Sequence, residues 1–554
     1  MRVSYQHTNI RSGNESTLLR FTAADGTRAC VLVDAGGAVD LDSALGDDEY
    51  LNAILLTHAH IDHYRSLARN VRHNAPIYTS PATATLLEQT LSEAQKDNDL
   101  GEISKALDAV EPIDDWTAIL ANLDVRPVSA GHTPGAAGFV VRFRDRTAAD
   151  DLLNGEQHIL ATGDFTMRPC AGFPELQTTY PFDIDAVLLN ASTEDTYRTA
   201  LNESLQTVLE RAYAGSQVVI ATSSLTGLHY AILLGHTAAA LDRELPITMV
   251  GQAAKLYNAL ELDDPGIETR EVFERTATVL EQGRVTIAGP ETPQKGSAAR
   301  LLNAVKDDPT GVFVQLATGD AAPVANVSCT TRYIELRNHP SIETIDRVVR
   351  ELAPKQVVIK HAVGDTLKRF QRRFDHCFTW GTNDEEIHRL YEAGEWQAPE
   401  WIAETAATQI RTRQWERAQN QPFDPDGMRS PVRRDAVDLE AEGVDLDALE
   451  TTFGRTSTDP YSTSTSDDDV TAVETKENRP QRGGGDSIEA ELLARLEAIE
   501  TKLDLDRSEE TVRARVLSDG NGEQLLYLLE QADIEAGDII EISVSGADTG
   551  ETQR

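Results

Sequence analysis

Three histidines and one aspartate lie within six residues of this sequence, at His58, His60, Asp62 and His63. The whole chain has 13 histidines in 554 residues, so the concentration is local, and it follows the apolar run "LNAILL". Crowded imidazoles repel one another when protonated, whereas a divalent metal ion binds neutral imidazoles and carboxylates together. His58 and His60 project to one side of an extended segment, and Asp62 and His63 follow where the chain turns. The pattern predicts a hydrolytic site for two metal ions.

Three further residues with metal-binding side chains follow apolar runs elsewhere in the chain. His132 lies in the glycine-flanked loop "GHTPG", Asp164 follows "HILATG", and His361 ends the run "KQVVIK". Any one of them alone has a structural explanation. Together, each at a strand end near a glycine, they supply the additional ligands that two metal ions require. His229 and His236 lie seven apart in a helical pattern and are interpreted as surface or packing residues.

The segments around these residues indicate the elements that position them. Residues 1–195 alternate short apolar runs with turn signals, which predicts strands with intervening helices. Residues 200–330 alternate β-branched runs with helical patterns, as in a parallel sheet with crossover helices. Residues 331–380 repeat the style once, with a helix at "SIETIDRVVREL". The predicted fold class is therefore α/β.

The cluster "HAHIDH", the loop "GHTPG" and the motif "TGD" resemble, in order and rough spacing, the ligand motifs of metallo-β-lactamase-fold hydrolases. The resemblance implies an αββα sandwich that binds two zinc ions per chain, with Asp164 bridging them. Asp34, in "VLVDAGG", matches an early aspartate of the family that supports the ligands. The resemblance implies two groups of ligands, one of His58, His60 and His132, and one of Asp62, His63 and His361.

The chain also resembles the β-CASP family of nucleases that process nucleic acids. Asp164 and Lys360 are 196 positions apart, and the insert between them contains "GRVTIAGPETPQKGSAARLLNAVKDDPTGVFVQLATG", which follows that family's order of strand, loop, helix and strand. Two late histidine motifs of the family fall on His339 and His361. The resemblance implies Asp62, Asp164 and His339 as catalytic residues, and His339 is expected to be the general acid that protonates the leaving oxygen.

Three positions depart from the β-CASP pattern. Asn190, in "LLNASTEDT", stands where the family has an acidic residue, and Glu194 lies nearby but out of register. Leu228 stands where the family has an arginine after Gly227, and the last motif reads "KHAVGD" where the family has Gly-Glu. Asn190 is still expected to support the ligands, together with Asp34. Since the ligand set is complete while the insert is altered, metal binding is a safer expectation than nuclease activity.

Composition predicts a chain of several segments. They are 1–196, the first part of the metallo-β-lactamase core; 197–330, the β-CASP insert; 331–395, the last part of the core; 396–454, a helical and irregular extension; 455–485, a disordered linker; and 486–554, a C-terminal helix and small β module. The linker is polar and ends in three glycines. The last stretch, 511–546, is predicted to form a strand, a turn, a helix and a strand.

Apolar residues in the C-terminal helix step by four, three and four, at Leu492, Leu496, Ile499 and Leu503. This spacing is compatible with a coiled coil, in which case the segment 488–503 would form a homo-oligomer. A single amphipathic helix that packs on its own module explains the spacing equally well. Both interpretations stay open at the level of the sequence.

The chain is strongly acidic, with 91 acidic and 51 basic residues and a net charge of −40. The acidic residues are spread along the sequence, which resembles proteins of halophilic archaea, whose salt-rich cytosol screens self-repulsion. The alternative is a mesophilic protein that avoids anionic partners. Four widely spaced cysteines are predicted to be reduced, buried thiols. Without an apolar run of membrane-spanning length or a signal peptide, no membrane contact and a cytoplasmic location are expected.

These features predict a zinc-dependent hydrolase, in first place a β-CASP ribonuclease. It would cleave phosphodiesters of single-stranded RNA through a hydroxide that bridges two metal ions. Single strands are favoured because an insert that covers the core leaves a narrow path for the substrate. Two other classes remain open: a catalytically weakened metal-binding scaffold subunit, and a hydrolase of the same fold that acts on DNA or a small ester.

Overall fold

The structure is a computed structural model that describes residues 1–145, 155–418, 432–454, 514–518 and 524–528. Residues Met1–Asp459 form one compact unit and Pro460–Arg554 a second. The four cysteines are free and buried, as the sequence predicts. In the described parts of the chain, no helix has the length and apolar character needed to cross a bilayer.

Two sheets form the centre of the first unit. The first sheet, in the spatial order β21-β20-β1-β2-β3-β4-β5-β6, consists of β1 (Arg2–His7), β2 (Thr17–Thr22), β3 (Arg28–Val33), β4 (Leu51–Leu55), β5 (Ile77–Thr79), β6 (Val110–Pro112), β20 (His388–Glu392) and β21 (Glu395–Trp396). The second, in the order β19-β18-β11-β10-β9-β8-β7, consists of β7 (Thr117–Leu120), β8 (Leu123–Ser129), β9 (Ala137–Arg144), β10 (Glu156–Ala161), β11 (Ala186–Asn190), β18 (Gln356–Lys360) and β19 (Phe378–Trp380).

Helices cover the outer face of each sheet. Those on the first sheet are α1 (Leu41–Ala44), α2 (Ile61–Tyr64), α3 (Leu67–Asn70), α4 (Pro81–Ala94) and α5 (Ile103–Asp108), and those on the second are α10 (Ile342–Leu352) and α11 (Gly364–Phe370). The residues of β3 are almost all apolar because both faces of this strand are buried. Val31 and Val33 pack between the two sheets, whereas Cys30 and Leu32 pack against the helices. The predicted αββα sandwich is confirmed.

The insert forms a third, six-stranded sheet in which every pairing is parallel. Its spatial order is β14-β13-β15-β12-β16-β17, formed by β12 (Val218–Thr222), β13 (Ile247–Val250), β14 (Ile267–Arg270), β15 (Val285–Ala288), β16 (Val312–Ala317) and β17 (Thr330–Glu335). Its helices are α6 (Tyr197–Tyr213), α7 (Ser224–Ala240), α8 (Gln252–Ala259) and α9 (Gly296–Val305). The parallel sheet predicted from β-branched runs alternating with helices is therefore present.

One boundary of the sequence-based map differs from the structure. The map ends the insert at residue 330, but β17 pairs with β16 from Val312–Thr330 to Ala317–Glu335 and so completes the insert's sheet. The reason is that an edge strand buries only part of its side chains, and "TRYIELRN" lacks the continuous apolar run of the inner strands. The chain returns to the core after this strand, through the segment that carries His339.

The extension after residue 395 is not independent of the insert. It contains α12 (Glu404–Ala418) and α13 (Leu446–Phe453), and Val444 and Leu449 belong to the same buried cluster as Leu201 and Leu228 of the insert. Residues 432–454 are therefore part of the same packed structure as the insert. This segment contributes apolar side chains to the core of the first unit.

The second unit has two described strands, β22 (Ala514–Ser518) and β23 (Gln524–Leu528), which pair antiparallel. The predicted order of strand, turn, helix and strand differs from the structure, because the described residues 524–528 after the turn form a strand. The intervening "DGNG" is a typical hairpin sequence and favours two adjacent strands. The predicted linker at 455–485 and the predicted helix at 488–503 lie outside the described residues, so both stay predictions.

Limited proteolysis tests the remaining domain prediction. A protease of broad specificity is expected to cut within 455–485, because the polar composition there offers little apolar surface for packing. The large fragment should keep the melting temperature of the intact chain, since it retains 432–454. Unfolding of that fragment after cleavage would show that the second unit is needed for the first.

Candidate metal centre

The predicted ligands lie in loops at one edge of the two central sheets. β4 leads into His58 and His60, and the single turn of α2 then brings Asp62 and His63 back towards them. The other three follow strands of the second sheet. His132 lies between β8 and β9, Asp164 follows β10, and His361 follows β18. Because β4, β10 and β18 all end at this edge, residues as much as 303 positions apart in the sequence meet at one place.

Three histidines form the first ligand group. The Nε2 atom of His58 lies 3.0 Å from Nδ1 of His60, and Nε2 of His132 lies 3.2 Å from the same Nδ1. His58 and His132 are buried, and His60 is partly buried. Three imidazole nitrogens that face one point in a buried pocket match the donor set of a zinc site.

The second group consists of Asp62, His63 and His361. Oδ2 of Asp62 lies 3.9 Å from Nε2 of His63 and 3.8 Å from Nε2 of His361. Asp164 lies between the two groups. Its Oδ1 is 2.8 Å from Nδ1 of His361, and its Oδ2 is 3.5 Å from Nε2 of His63 and 3.8 Å from Nε2 of His132. This position is the one expected of a carboxylate that contacts two metal ions.

Asp34 and Thr57 orient His63 and His58 through contacts with the Nδ1 atoms of these two rings. Nδ1 of His63 donates to Asp34 Oδ2 at 2.9 Å, which directs Nε2 towards the ligand group. The amide and hydroxyl of Thr57 donate to Asp34 Oδ1, at 2.9 and 3.0 Å. Since the single Thr57 proton goes to Asp34, its oxygen can accept from Nδ1 of His58, 3.0 Å away. The expected supporting role of Asp34 agrees with this geometry.

The backbone is held in uncommon conformations around the site. Asp34 and His361 have φ values of 58° and 49°, in the left-handed region that non-glycine residues seldom adopt. Gly163, directly before Asp164, has φ of 58°, and a Cβ there would meet the Thr57 side chain at 2.6 Å. The glycine of "TGD" therefore allows the Asp164 loop to lie against the His58 loop, a local constraint of the kind that clusters at functional sites.

The polar atoms left without partners support a metal at this place. Nε2 of His63, Nδ1 of His339 and Oδ1 of Asn190 are buried and have no hydrogen-bond partner among the described residues. Buried polar groups are nearly always satisfied, so each needs an explanation. A metal ion that accepts the lone pair of His63 Nε2 supplies one, and the donor chemistry of the site fits a divalent ion.

Charge states in the site also suit metal binding. Burial lowers the pKa of His58 and of His132, and lowers that of His60 to about 4, which keeps these rings neutral. Burial acts to raise the pKa of Asp164, but His361 and His63 hold it well below its usual value. Burial opposes protonation of His63, yet Asp34 and Asp164 raise its pKa. Metal binding would therefore displace a proton from His63.

Asn190 and Glu194 differ in their relation to the centre. Nδ2 of Asn190, at the end of β11, donates to Asp164 Oδ1 at 3.0 Å. The carboxylate of Glu194 instead accepts from the amide and hydroxyl of Thr196. Asn190 thus positions Asp164 as a neutral donor, and Glu194 does not replace the acidic residue that the β-CASP pattern has at 190.

His339 adjoins the centre on the side of the insert. Its ring stacks on that of His132, with centroids 4.8 Å apart, and its Nδ1 lies 4.0 Å from Asp164 Oδ2. Burial lowers its pKa to about 3. The structure therefore places this predicted catalytic residue beside the ligands, and its role as a proton donor stays a prediction.

Arg168 and Asn338 hold the His339 segment in place, and sequence reasoning missed both. Nη2 of Arg168 donates to Asn338 Oδ1 at 3.0 Å and to the His339 carbonyl at 3.2 Å. Asn338 donates to the His132 carbonyl at 2.8 Å and accepts from His132 Nδ1 at 2.7 Å through its own carbonyl. The guanidinium lies 4.4 Å from the ring centroid of Tyr197. Asn338 could have been found from the sequence because it is adjacent to His339. No feature of the sequence pointed to Arg168.

A cavity of about 710 Å³ connects the centre with the insert. The core side contributes His60, Asp62, His132, Asp164 and His361, and the insert side contributes residues of α6 and α7. Leu228 is buried in the insert's apolar core, and the next residue, His229, lines the cavity.

Comparison with known proteins agrees with the fold of the core. Residues 14–149 match the sequence model of the metallo-beta-lactamase superfamily. The chain therefore contains a metallo-β-lactamase domain, and the inserted parallel sheet is the feature that the resemblance to the β-CASP family implies.

Named relatives come from bacteria and archaea. The chain is 28% identical over 274 residues to ribonuclease TTHA0252 of Thermus thermophilus, a match that covers 46% of this chain and 59% of that protein. It is 33% identical over 150 residues to the transcription termination factor FttA of Pyrococcus abyssi, covering 23% of this chain and 22% of the factor. FttA of Thermococcus kodakarensis is 31% identical over 150 residues, with coverage of 24% and 22%. The matches span less than two thirds of each relative.

Proposed function

We propose that the protein is a zinc-dependent ribonuclease that cleaves phosphodiester bonds of single-stranded RNA. The observation that carries the proposal is the pair of ligand groups that meet at Asp164. One group presents three imidazoles, the other presents two imidazoles and a carboxylate, and Asp164 lies within 3.8 Å of a histidine nitrogen in each. This arrangement is typical of hydrolytic sites for two metal ions.

Zinc is the metal that suits the donors best, because nitrogen and oxygen ligands without cysteine describe many catalytic zinc sites. His58, His60 and His132 would hold one ion, Asp62, His63 and His361 the other, and Asp164 would contact both. Bound zinc would supply an activated water and neutralise charge on the phosphate oxygens. The residues of the chain then hold the phosphate in place and exclude bulk water, and His339 would donate a proton to the leaving oxygen.

RNA is favoured as the substrate by the relatives named as a ribonuclease and as transcription termination factors. A single strand is favoured by the cavity, since the substrate must enter between the core and the insert. A net charge of −40 works against long-range attraction of nucleic acid, so binding must depend on short-range contacts. The expected halophilic origin fits this reasoning and remains a prediction.

One observation favours the scaffold as a second candidate. Asn190 donates to Asp164 where the β-CASP pattern has an acidic side chain, so the carboxylate loses a charged neighbour in exchange for a neutral one. Such a scaffold subunit would keep all seven ligands and bind metal, but it would not cleave RNA.

Zinc content and cleavage should be measured on the same preparation. Elemental analysis is expected to give about two zinc ions per chain. End-labelled single-stranded RNA should be cleaved in high salt, and DNA of the same sequence and a small ester serve as comparison substrates. Well under one metal ion per chain would contradict the dinuclear centre. Two ions without cleavage of any substrate would favour the scaffold, and faster cleavage of DNA would reassign the substrate.

A further inference from the structure

A second histidine and carboxylate pair lies on the insert side of the cavity. Nε2 of His229, in α7, lies 2.7 Å from Oε2 of Glu442, in the extension. Glu442 is fully buried and also accepts hydrogen bonds from the amides of Ala171 and Gly172, each at 2.8 Å. The carboxylate therefore has three donors and fixes the orientation of the His229 ring.

Glu442 is held in its ionised form. Burial acts to raise its pKa, but the hydrogen bonds with His229 and with the two amides keep the pKa below its usual value. A buried carboxylate that keeps its charge needs a strong partner, and His229 is the nearest group that can carry a positive charge. The extension thus supplies the carboxylate that anchors an imidazole of the insert, although the two residues are 213 positions apart.

His229 lies in the wall of the cavity that also contains the ligands. It is 6% exposed and shares this wall with Thr226 and Leu233, which lie on the same side of α7, and with Ser223, directly before the helix. Since Nε2 faces Glu442, Nδ1 is the nitrogen available to a bound molecule. Arg337 is the one arginine or lysine among the described residues that line the cavity, so side chains that can bind an anion are few on this wall and His229 is one of them.

We propose that His229, oriented by Glu442, binds a phosphate group of the nucleic-acid substrate on the insert side of the cavity. The inference rests on the proposed function, because it assumes that the cavity holds a nucleic-acid strand. A phosphate beside the ring would place His229 between two anions, the carboxylate of Glu442 and the phosphate. The ring then donates from Nε2 to Glu442 and from Nδ1 to the phosphate, and this charge-assisted hydrogen bond helps position the strand.

The same helix offers a matched control. Nε2 of His236 lies 2.9 Å from Oδ1 of Asp264, so this pair repeats the chemistry of His229 and Glu442. His236 does not line the cavity, and Arg434 also contacts Asp264. A change of His236 therefore removes a comparable contact between a histidine and a carboxylate from α7 without touching the proposed phosphate site.

The experiment compares His229→Gln with His236→Gln in the zinc-loaded full-length chain. Glutamine can still donate to the neighbouring carboxylate, which protects the fold, and equal melting temperatures and zinc contents verify this. Single-stranded RNA, DNA of the same sequence and bis(p-nitrophenyl) phosphate serve as probes. For His229→Gln we expect KM for both nucleic acids to rise about tenfold or more with kcat unchanged, because a charge-assisted contact is lost. The small diester should be hydrolysed at the original KM. Its one phosphate would bind at the metal centre, so it has no second phosphate for His229 to contact.

Several results would overturn the proposal. One is that His229→Gln binds RNA and DNA with the same Kd as His236→Gln. The effect could be confined to RNA, which would indicate a contact with the 2′-hydroxyl. Fluorescence anisotropy with labelled RNA measures Kd without turnover and separates this proposal from the proposed function. A native chain that binds RNA but cleaves nothing would contradict only the ribonuclease, while equal Kd values of the two variants would contradict only the phosphate site.

Discussion

Asp164→Ala is expected to lose zinc and RNA cleavage together. The carboxylate has contacts to His361, His63 and His132, so its removal takes a ligand from both groups at once. It also leaves His361 and the Asn190 amide without their acceptor. Loss of a partner that only orients a ligand typically costs about 10- to 100-fold in metal affinity or activity, and a shared ligand should cost more. Elemental analysis and a cleavage assay on one preparation measure both effects.

The control for this prediction is Asp185→Asn. Asp185 is also buried, and it accepts from the His158 amide and from Lys355. It precedes β11, so it lies at the opposite edge of the sheet from the metal centre. This variant should lose stability while keeping its zinc. If Asp164→Ala retains two zinc ions per chain, the carboxylate is not shared and the arrangement of two ions must be revised.

Most of the candidate ligands could be identified from the sequence because they carry a local signal. Spacing alone singles out His58, His60 and His63, and a glycine beside each loop marks His132 and Asp164. The strands of the core followed from apolar runs of strand length, since strands buried on both faces need apolar residues at nearly every position. Their arrangement as an αββα sandwich was implied by the resemblance to metallo-β-lactamase-fold hydrolases. The parallel insert followed from the same rule.

The parts that sequence reasoning missed depend on contacts between distant segments. Nothing in the sequence around Glu442 shows that it accepts hydrogen bonds from Ala171, Gly172 and His229. Arg168 likewise acts through Asn338, 170 positions away. Such buried polar contacts have no periodicity, so only the folded structure places their partners together. The edge strand β17 was misassigned because it lacks the apolar pattern of an inner strand.

His229 shows how a correct classification can leave a function unseen. A histidine on an apolar helical pattern is usually a packing residue, and His229 is indeed buried. Its packing partner, however, is a carboxylate from another segment, and its free edge borders the cavity. His236 has the same type of partner without the cavity. The difference between the two lies in position alone, which the sequence does not contain.

His339→Ala is expected to keep its zinc while RNA cleavage falls by a factor of about 100 to 10,000, the range typical of a general acid. The ring is stacked on His132 and lies 4.0 Å from Asp164, in a segment that Arg168 and Asn338 hold against the core. Burial keeps it neutral in the free chain. An anionic phosphate beside the ring favours the protonated form, so the acid would be formed as the substrate binds.

The rate must be compared with that of the unmutated chain, because Asn190 makes the starting rate hard to anticipate. His158→Ala is a suitable control, since His158 is a buried histidine that stacks on Phe182 at 3.9 Å and does not line the cavity. Its variant should lose stability more than rate at a temperature where it is folded. Loss of zinc from His339→Ala would identify His339 as a ligand, since its Nδ1 already lies beside Asp164 and His132. Cleavage at the original rate with zinc retained would show that another group protonates the leaving oxygen, and the β-CASP interpretation of this motif would then fail.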